Sequence, residues 1–477
     1  MSNQKSAING AKWTTTATII TVLFAFFQLA IIARVLDSSA FGLVAMSTIT
    51  INFFHIFANL GFTNSIISKQ ETDKKILSTI FYSSLALGLT MFISVNLCSH
   101  LIAEYFNEPR LKYIIRISSI NFPLIYAGQI YNILLQKELK FKQLAIIDVS
   151  SSLFGTIITT SLAYNNFEEL SLIYGEVCYT AFKVTLFIIV GFKLFNPIFY
   201  FNLKDIKDHL RFGVYNLGEG ILGYAGSNVE SIIIGKIIGA KALGLYTIAY
   251  QLAVYPIVRL NPIIMQVTYP IMAKMKDTAG LKRAYIKIVD FITYCNFPLL
   301  AGLFITAISV IPLVYGKDWI DTIPLVKVII FVSMLKCINA PISSLAFTKG
   351  KPNLIFYLNL TTLIIKLPII YFFSMYFGLM GVAVANLITT IAETILTSIL
   401  AKHLIGDYFR EFLLNIYKPI LFCLIMVLII AVYQHFITST ALVHTLIQIG
   451  IGGSIYLGLT LKYKLSLTEI LALKKTL

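Results

Sequence analysis

Residues 31–46 read IIARVLDSSAFGLVAM, and residues 233–248 read IIGKIIGAKALGLYTI. The two stretches stand at a fixed offset of 202 residues. In that register Arg34 falls on Lys236, Ala40 on Ala242, Gly42 on Gly244 and Leu43 on Leu245. Each copy closes one apolar run and opens the next through a tight turn. The repeat therefore lays the first six apolar runs over the next six. Two halves of the same topology imply pseudo-two-fold lobes, an arrangement that transporters use with the substrate path between the repeats.

The apolar runs extend from these turns to both ends of the chain. Candidate spans cover 13–36, 40–66, 76–103, 113–136, 143–164, 170–195, 212–238, 242–272, 285–315, 323–348, 352–376, 378–402, 416–437 and 441–461. That is about fourteen runs, each near the ~20 residues that cross a bilayer core. Of the 477 residues 57% are hydrophobic and 13% charged, with mean hydropathy +0.82. Soluble domains carry about 25% charged residues, so a water-soluble surface cannot be built from this composition. The expected fold is an all-α integral membrane protein. It has two six-helix lobes in a pseudo-two-fold arrangement, plus two C-terminal helices.

Charge supports an even number of spans. With the N-terminus in the cytoplasm and sides alternating, lysine and arginine gather on the cytoplasmic segments. Examples are Lys69, Lys74 and Lys75; Lys137, Lys140 and Lys142; Lys204, Lys207 and Arg211; Lys282, Arg283 and Lys287. This is the bias expected of cytoplasmic loops, and it places both termini inside. The first lobe is expected at 1–195, a polar, amphipathic cytoplasmic linker at 196–211, and the second lobe at 212–402. The segment 403–477 holds the two extra helices and a cytoplasmic tail. The first apolar run is too long for a signal peptide and reads as a retained helix.

The net charge is +16. In a soluble protein that would suggest nucleic acid, but the loop bias accounts for it, and no nucleic-acid partner is expected. Cys98, Cys178, Cys295, Cys337 and Cys423 all fall in apolar runs without paired spacing, so neither disulfides nor zinc is indicated. The six histidines form no metal-ligand cluster. Gly218 to Gly223 formally match a dinucleotide fingerprint, but that motif needs a preceding strand. No nucleophile elbow, Walker loop or Asp-rich metal motif is present. The chain reads as a non-enzyme with no catalytic residues, no metal and no cofactor.

Ionisable residues within the spans are more informative. A charge at the bilayer centre costs at least ~2.5–3.5 kcal/mol, so it generally faces a cavity or a partner. The candidates are His55, Arg116, Glu176, Lys183, Glu219, Glu230, Arg259, Lys336, Lys366 and Glu393. Arg259, Lys336, Lys366 and Glu393 lie deepest. The basic excess favours an anionic passenger such as a diphosphate, whose oxygens take charge-assisted hydrogen bonds from Arg and Lys. Arg34, Arg116 and Lys236 sit near helix ends, where they either line that path or snorkel to the interface. Glu176 and Lys183 share a helix face. Glu176, Glu219, Glu230, Glu393 and His55 are candidates for ion coupling or charge pairing, with H⁺ and Na⁺ both open.

An ordered set of short motifs adds to this reading. It runs Gly10-Ala11-Lys12-Trp13, Ala33-Arg34-Val35-Leu36, Phe41-Gly42-Leu43-Val44-Ala45-Met46 and Asn59-Leu60-Gly61-Phe62. It continues with Leu139-Lys140-Phe141-Lys142, Arg211-Phe212-Gly213, Asn228, Ile234-Gly235-Lys236, Gly244-Leu245-Tyr246 and Tyr315-Gly316-Lys317-Asp318-Trp319. In this order they resemble the Wzx-type polysaccharide flippases of the multidrug/oligosaccharidyl-lipid/polysaccharide (MOP) exporter superfamily, and most of all the colanic acid and teichuronic acid exporters. The resemblance implies two six-helix lobes forming a V and a basic central cavity. It implies transport of undecaprenyl-diphosphate-linked oligosaccharide from the inner to the outer leaflet of the cell inner membrane by alternating access. Expected partners are that lipid-linked substrate, membrane lipids, and the polysaccharide polymerase and chain-length machinery. The chain departs from the pattern at Asp37-Ser38-Ser39, where relatives carry Pro, and at Glu230, where they often carry Asp. It departs again at Glu169-Leu170-Ser171-Leu172, where an aromatic Gly-x-Trp-Ser-Leu stretch is common. A cation-coupled multidrug exporter of the same superfamily is the alternative, which the basic excess disfavours. A membrane-embedded polymerase or acyltransferase would need a long loop or a catalytic His.

Overall fold

The computed structural model describes residues 2–58, 66–67, 69–275, 277–437 and 441–463. Among the described residues every regular element is helical. The chain divides into two compact units, Met1–Gly244 and Leu245–Leu477.

The first unit holds α1 (Ser2–Ile32), α2 (Ser38–Ala58), α3 (Lys74–Phe106), α4 (Pro109–Ser118), α5 (Asn121–Lys137), α6 (Phe141–Tyr164) and α7 (Glu168–Gly191). A 3₁₀ turn (Leu203–Ile206), α8 (Lys207–Ile233), a π-helical turn (Ile234–Ile238) and the start of α9 (Ala240–Ala273) complete it. The second unit takes the rest of α9, then α10 (Thr278–Tyr315), α11 (Thr322–Asn339), α12 (Ile342–Thr348), α13 (Asn353–Ile405), α14 (Phe409–Phe436) and α15 (Leu442–Tyr463).

Local chemistry sets the helix ends. Asp73 caps α3 by accepting the Lys75 N–H at 2.8 Å, and Asp277 caps α10 by accepting the Gly280 N–H at 2.7 Å. Side-chain oxygens at these positions satisfy amides that the first turn leaves unbonded. Asp37 does the same for α2, accepting the Ala40 N–H at 2.9 Å. The expected span at 113–136 is broken between α4 and α5. Pro123 has no N–H for the Ser119 carbonyl, which is taken instead by Phe122 N–H at 3.0 Å. Pro341 lies between α11 and α12, where it has no N–H to continue the helix. Gly378 divides the long α13 with φ 58 and ψ −147, a conformation closed to other residues.

Eleven helices of the described residues are long and apolar enough to cross a membrane. Their outer faces are greasy: Leu97 is 75% and Phe436 79% exposed. Exposure of that kind over so many helices is a lipid-facing surface, and the chain is a multi-pass membrane protein. Inside the first unit, Leu77, Ile80, Tyr131, Leu135, Phe187, Phe195 and Ile206 build one apolar core.

The 202-residue repeat has a direct structural counterpart. A Cβ on Gly42 would overlap the carbonyl oxygen of Ala240, and a Cβ on Gly244 would overlap the carbonyl oxygen of Ser38. Ser38 and Ala240 are equivalent at the 202-residue offset. Each glycine thus receives the other copy's matching backbone. The two turns cross with local two-fold symmetry, and only a residue without a side chain permits so close a backbone approach.

Candidate functional site

The first unit contains an intramembrane ion pair. On α7, Tyr179, Lys183 and Phe187 recur every four residues and so share one face. The Lys183 ammonium lies 5.5 Å from the Tyr179 ring centre and 5.7 Å from that of Phe187. It donates to the Tyr179 hydroxyl at 3.2 Å and meets Asp148 Oδ1 of α6 at 2.8 Å. Its charge is therefore balanced within the unit. Glu176 stands on the same helix and is exposed. Gln28 of α1 accepts from Thr156 of α6 at 3.1 Å, which adds a polar link between α1 and α6.

The other candidates in this unit are dispersed. His55 packs its ring on Phe122, with centroids 4.6 Å apart. Arg116 donates from Nε to Ser99 Oγ at 3.1 Å where α4 ends, in a polar seam with the Asn96–Ser119 and Ser47–Ser118 pairs. Arg34 is exposed in the turn after α1. Its repeat partner Lys236 sits in the π-helical turn with its ammonium 5.1 Å from the Tyr105 ring centre. Such turns are frequent at functional positions. Glu230 is buried on α8 at 3% exposure. The side chains of Glu219 and Arg259 lie outside the described residues, although their backbones belong to α8 and α9.

The second unit arranges a polar ladder around Lys336. Its ammonium is 3.4 Å from the Tyr250 hydroxyl and 5.6 Å from that ring's centre. Tyr250 stacks near Tyr246, 6.0 Å between centroids, and the Tyr246 hydroxyl accepts from Asn386 at 3.0 Å. The ladder joins α9, α11 and α13. Asn339 bonds Thr394 at 3.0 Å alongside it. Lys366, on the first half of α13, is 7% exposed, and Glu393 is half-buried on the second half. Among the described residues no three His, Cys, Asp or Glu side chains group as metal ligands.

Sequence reasoning missed the partners in both places. Asp148 is an acid inside an apolar span, and the rule that selected Lys183 should have selected it too. Tyr246, Tyr250 and Asn386 carry no charge, and only the helix packing brings them to Lys336.

Residues 31–324 match the protein family described as "Polysaccharide biosynthesis protein". This chain belongs to that family. Among its relatives, the lipopolysaccharide biosynthesis protein WzxC of Escherichia coli (strain K12) is 31% identical over 421 residues, covering 88% of this chain and 86% of WzxC. The teichuronic acid biosynthesis protein TuaB of Bacillus subtilis (strain 168) is 28% identical over 354 residues, covering 74% and 73%. Membership agrees with the Wzx-type resemblance carried by the motifs above. Two solved structures share the fold of this polysaccharide biosynthesis family member. The lipid II flippase MurJ, in an inward closed conformation, aligns with a TM-score of 0.72 at 16% identity, covering 94% of this chain and 98% of MurJ. An inward-facing multidrug resistance MATE transporter of the MOP superfamily aligns at 0.59 and 14%, covering 80% and 95%. Identities this low speak to the fold alone.

Proposed function

We propose that this chain is a flippase for undecaprenyl-diphosphate-linked oligosaccharide, moving it from the inner to the outer leaflet of the cell inner membrane by alternating access. The observation that carries the reading is Lys366, a lysine at 7% exposure inside an apolar helix, together with Lys336 on its polar ladder. Holding cations at that depth costs free energy. An anionic passenger gives a reason for that cost, because ammonium–phosphate hydrogen bonds are among the stronger polar contacts. Names of relatives point the same way: lipopolysaccharide and teichuronic acid biosynthesis.

In this reading the chain crosses the membrane fourteen times. The broken α4–α5 pair and α9 each add a crossing, and α13 crosses twice by turning at Gly378; these three raise the eleven apolar helices to fourteen. Both termini are then cytoplasmic. The two six-helix lobes alternate access to a cationic path, with H⁺ or Na⁺ coupling through carboxylates such as the buried Glu230 and the half-buried Glu393. No covalent chemistry is required. The passenger is supplied by glycosyltransferases on the inner face and consumed by a polymerase with its chain-length machinery outside.

Deleting the gene in its host tests the proposal. Surface glycan is expected to disappear, with lipid-linked repeat units accumulating on the inner leaflet. Undiminished surface glycan, or loss of the lipid-linked unit itself, would overturn it. The second outcome would mean a role in synthesis.

A further inference from the structure

The segment between α7 and the 3₁₀ turn Leu203–Ile206 is held in an unusual way. Its two ends are buried in the apolar core of the first unit: Phe195 is 2% and Ile206 0% exposed. Its middle is fixed by backbone bonds to the start of α3. Ile198 N–H donates to Ser78 Oγ at 3.1 Å, and Asn202 N–H to Thr79 Oγ1 at 3.4 Å. Both hydroxyl residues are wholly buried. A segment anchored at four points is well placed to bury its apolar side chains, yet it turns them outward. Phe199, Phe201 and Leu203 are 103%, 56% and 54% exposed.

Polar groups of the same segment bond one another instead. The Tyr200 hydroxyl donates to Asp205 Oδ2 at 2.8 Å, and Asn202 Nδ2 to Asp205 Oδ1 at 3.0 Å. Lys75 lies over the Tyr200 ring at 5.4 Å. The segment thus has an apolar side and a polar side without being a helix.

Its depth says what covers the apolar side. Ser78 and Thr79 are four and five residues into α3, which starts at Lys74. At 1.5 Å per residue they lie roughly 6–8 Å along that helix. Phe199 stacks near Tyr82, with centroids 6.4 Å apart, one turn further in. Interfacial elements bury their apolar faces ~5–10 Å into the headgroup–acyl boundary. Lys74, Lys75, Lys193 and Lys204 are exposed around the segment, as suits anionic headgroups.

We propose that residues 198–203 form an interfacial strap. Phe199, Phe201 and Leu203 insert among lipid acyl chains of the leaflet on the lysine-rich face, and the neighbouring lysines hold anionic headgroups. The strap fixes the entry of α8 to the plane of that leaflet.

The test uses the full chain in vesicles containing phosphatidylglycerol. Trp13 and Trp319 are replaced by Phe, and single reporters are introduced by Phe199→Trp or, on the polar side, Asp205→Trp. The reporter at 199 is expected to emit at shorter wavelength than the one at 205. It should be quenched by lipids brominated high on the acyl chain and shielded from aqueous acrylamide, while the reporter at 205 shows the opposite pattern. Acrylamide quenching of the reporter at 199 equal to that at 205 would overturn the strap. So would shielding from both quenchers, since a protein surface would then cover the site. Phosphatidylcholine vesicles give the charge arm: weaker lipid quenching there supports the lysine contribution, and equal quenching removes it from the proposal.

Discussion

A Lys336→Ala/Lys366→Ala double variant is expected to export glycan at about 10²-fold lower rate or worse, while remaining folded. Each lysine supplies a charge-assisted contact worth about 1.5–3 kcal/mol, and 1.4 kcal/mol is about tenfold in rate. Loss of both is felt in full if the diphosphate meets them at the top of the barrier. The fold should tolerate the change. Lys366 is nearly enclosed at 7% exposure, and alanine in its place keeps the helix apolar and strongly helix-forming. Lys336 leaves Tyr250 stacked near Tyr246. The check is the initial rate of surface glycan appearance beside the melting temperature of the purified protein. Unchanged export at normal protein levels would remove the cationic path from the account.

The second large effect concerns the α6–α7 hairpin. Gly175→Leu is expected to destabilise the protein by about 3 kcal/mol or more, at the upper end of what overpacking costs. A Cβ at Gly175 would overlap Thr159 Oγ1 and sit 2.8 Å from Thr159 Cβ and 3.1 Å from its Cα. One turn along, a Cβ at Gly155 would lie 2.8 Å from Tyr179 Cβ. The helices close like a zip: Thr159 on Gly175, Gly155 on Tyr179, and Asp148 paired with Lys183. Small residues are what allow such approach in a membrane, where apolar burial gives helices no net attraction. Prising the seam apart at Gly175 should also lengthen the ion pair. The melting temperature should fall by about 6–12 °C, and Gly175→Ala with Thr159→Gly should restore most of it relative to Gly175→Ala alone. A Gly175→Leu protein as stable as the parent would contradict the seam.

The same two places show what the sequence reveals. Spans are legible because a bilayer imposes length and apolarity on each run, and the 202-residue repeat shows in Gly42 and Gly244. That the glycines receive each other's backbone is a fact of crossing helices, which periodicity does not carry. The helix break at Pro123 is visible as a proline, but whether a proline kinks or divides a helix depends on which carbonyl finds another donor. Lys183 was legible as a costly charge; Asp148, 35 positions away on another helix, was not paired with it. The Lys336–Tyr250 contact spans 86 positions and includes a side chain that is neutral at ordinary pH, so no list of charged residues could contain it. The linker at 196–211 reads as polar from its lysines and asparagines, and the outward aromatics of 198–203 emerge only when Phe195 and Ile206 are seen to be the buried pair.

The most direct measurement is translocation by the purified chain alone. The protein is reconstituted into vesicles whose lipid-linked oligosaccharide lies in one leaflet, and a membrane-impermeant glycosidase on the opposite side reads its arrival. Protein-dependent exposure of the glycan is expected, and it should be lost in the Lys336→Ala/Lys366→Ala variant. Exposure no faster than in empty vesicles, under a proton or sodium gradient of either sign, would contradict it.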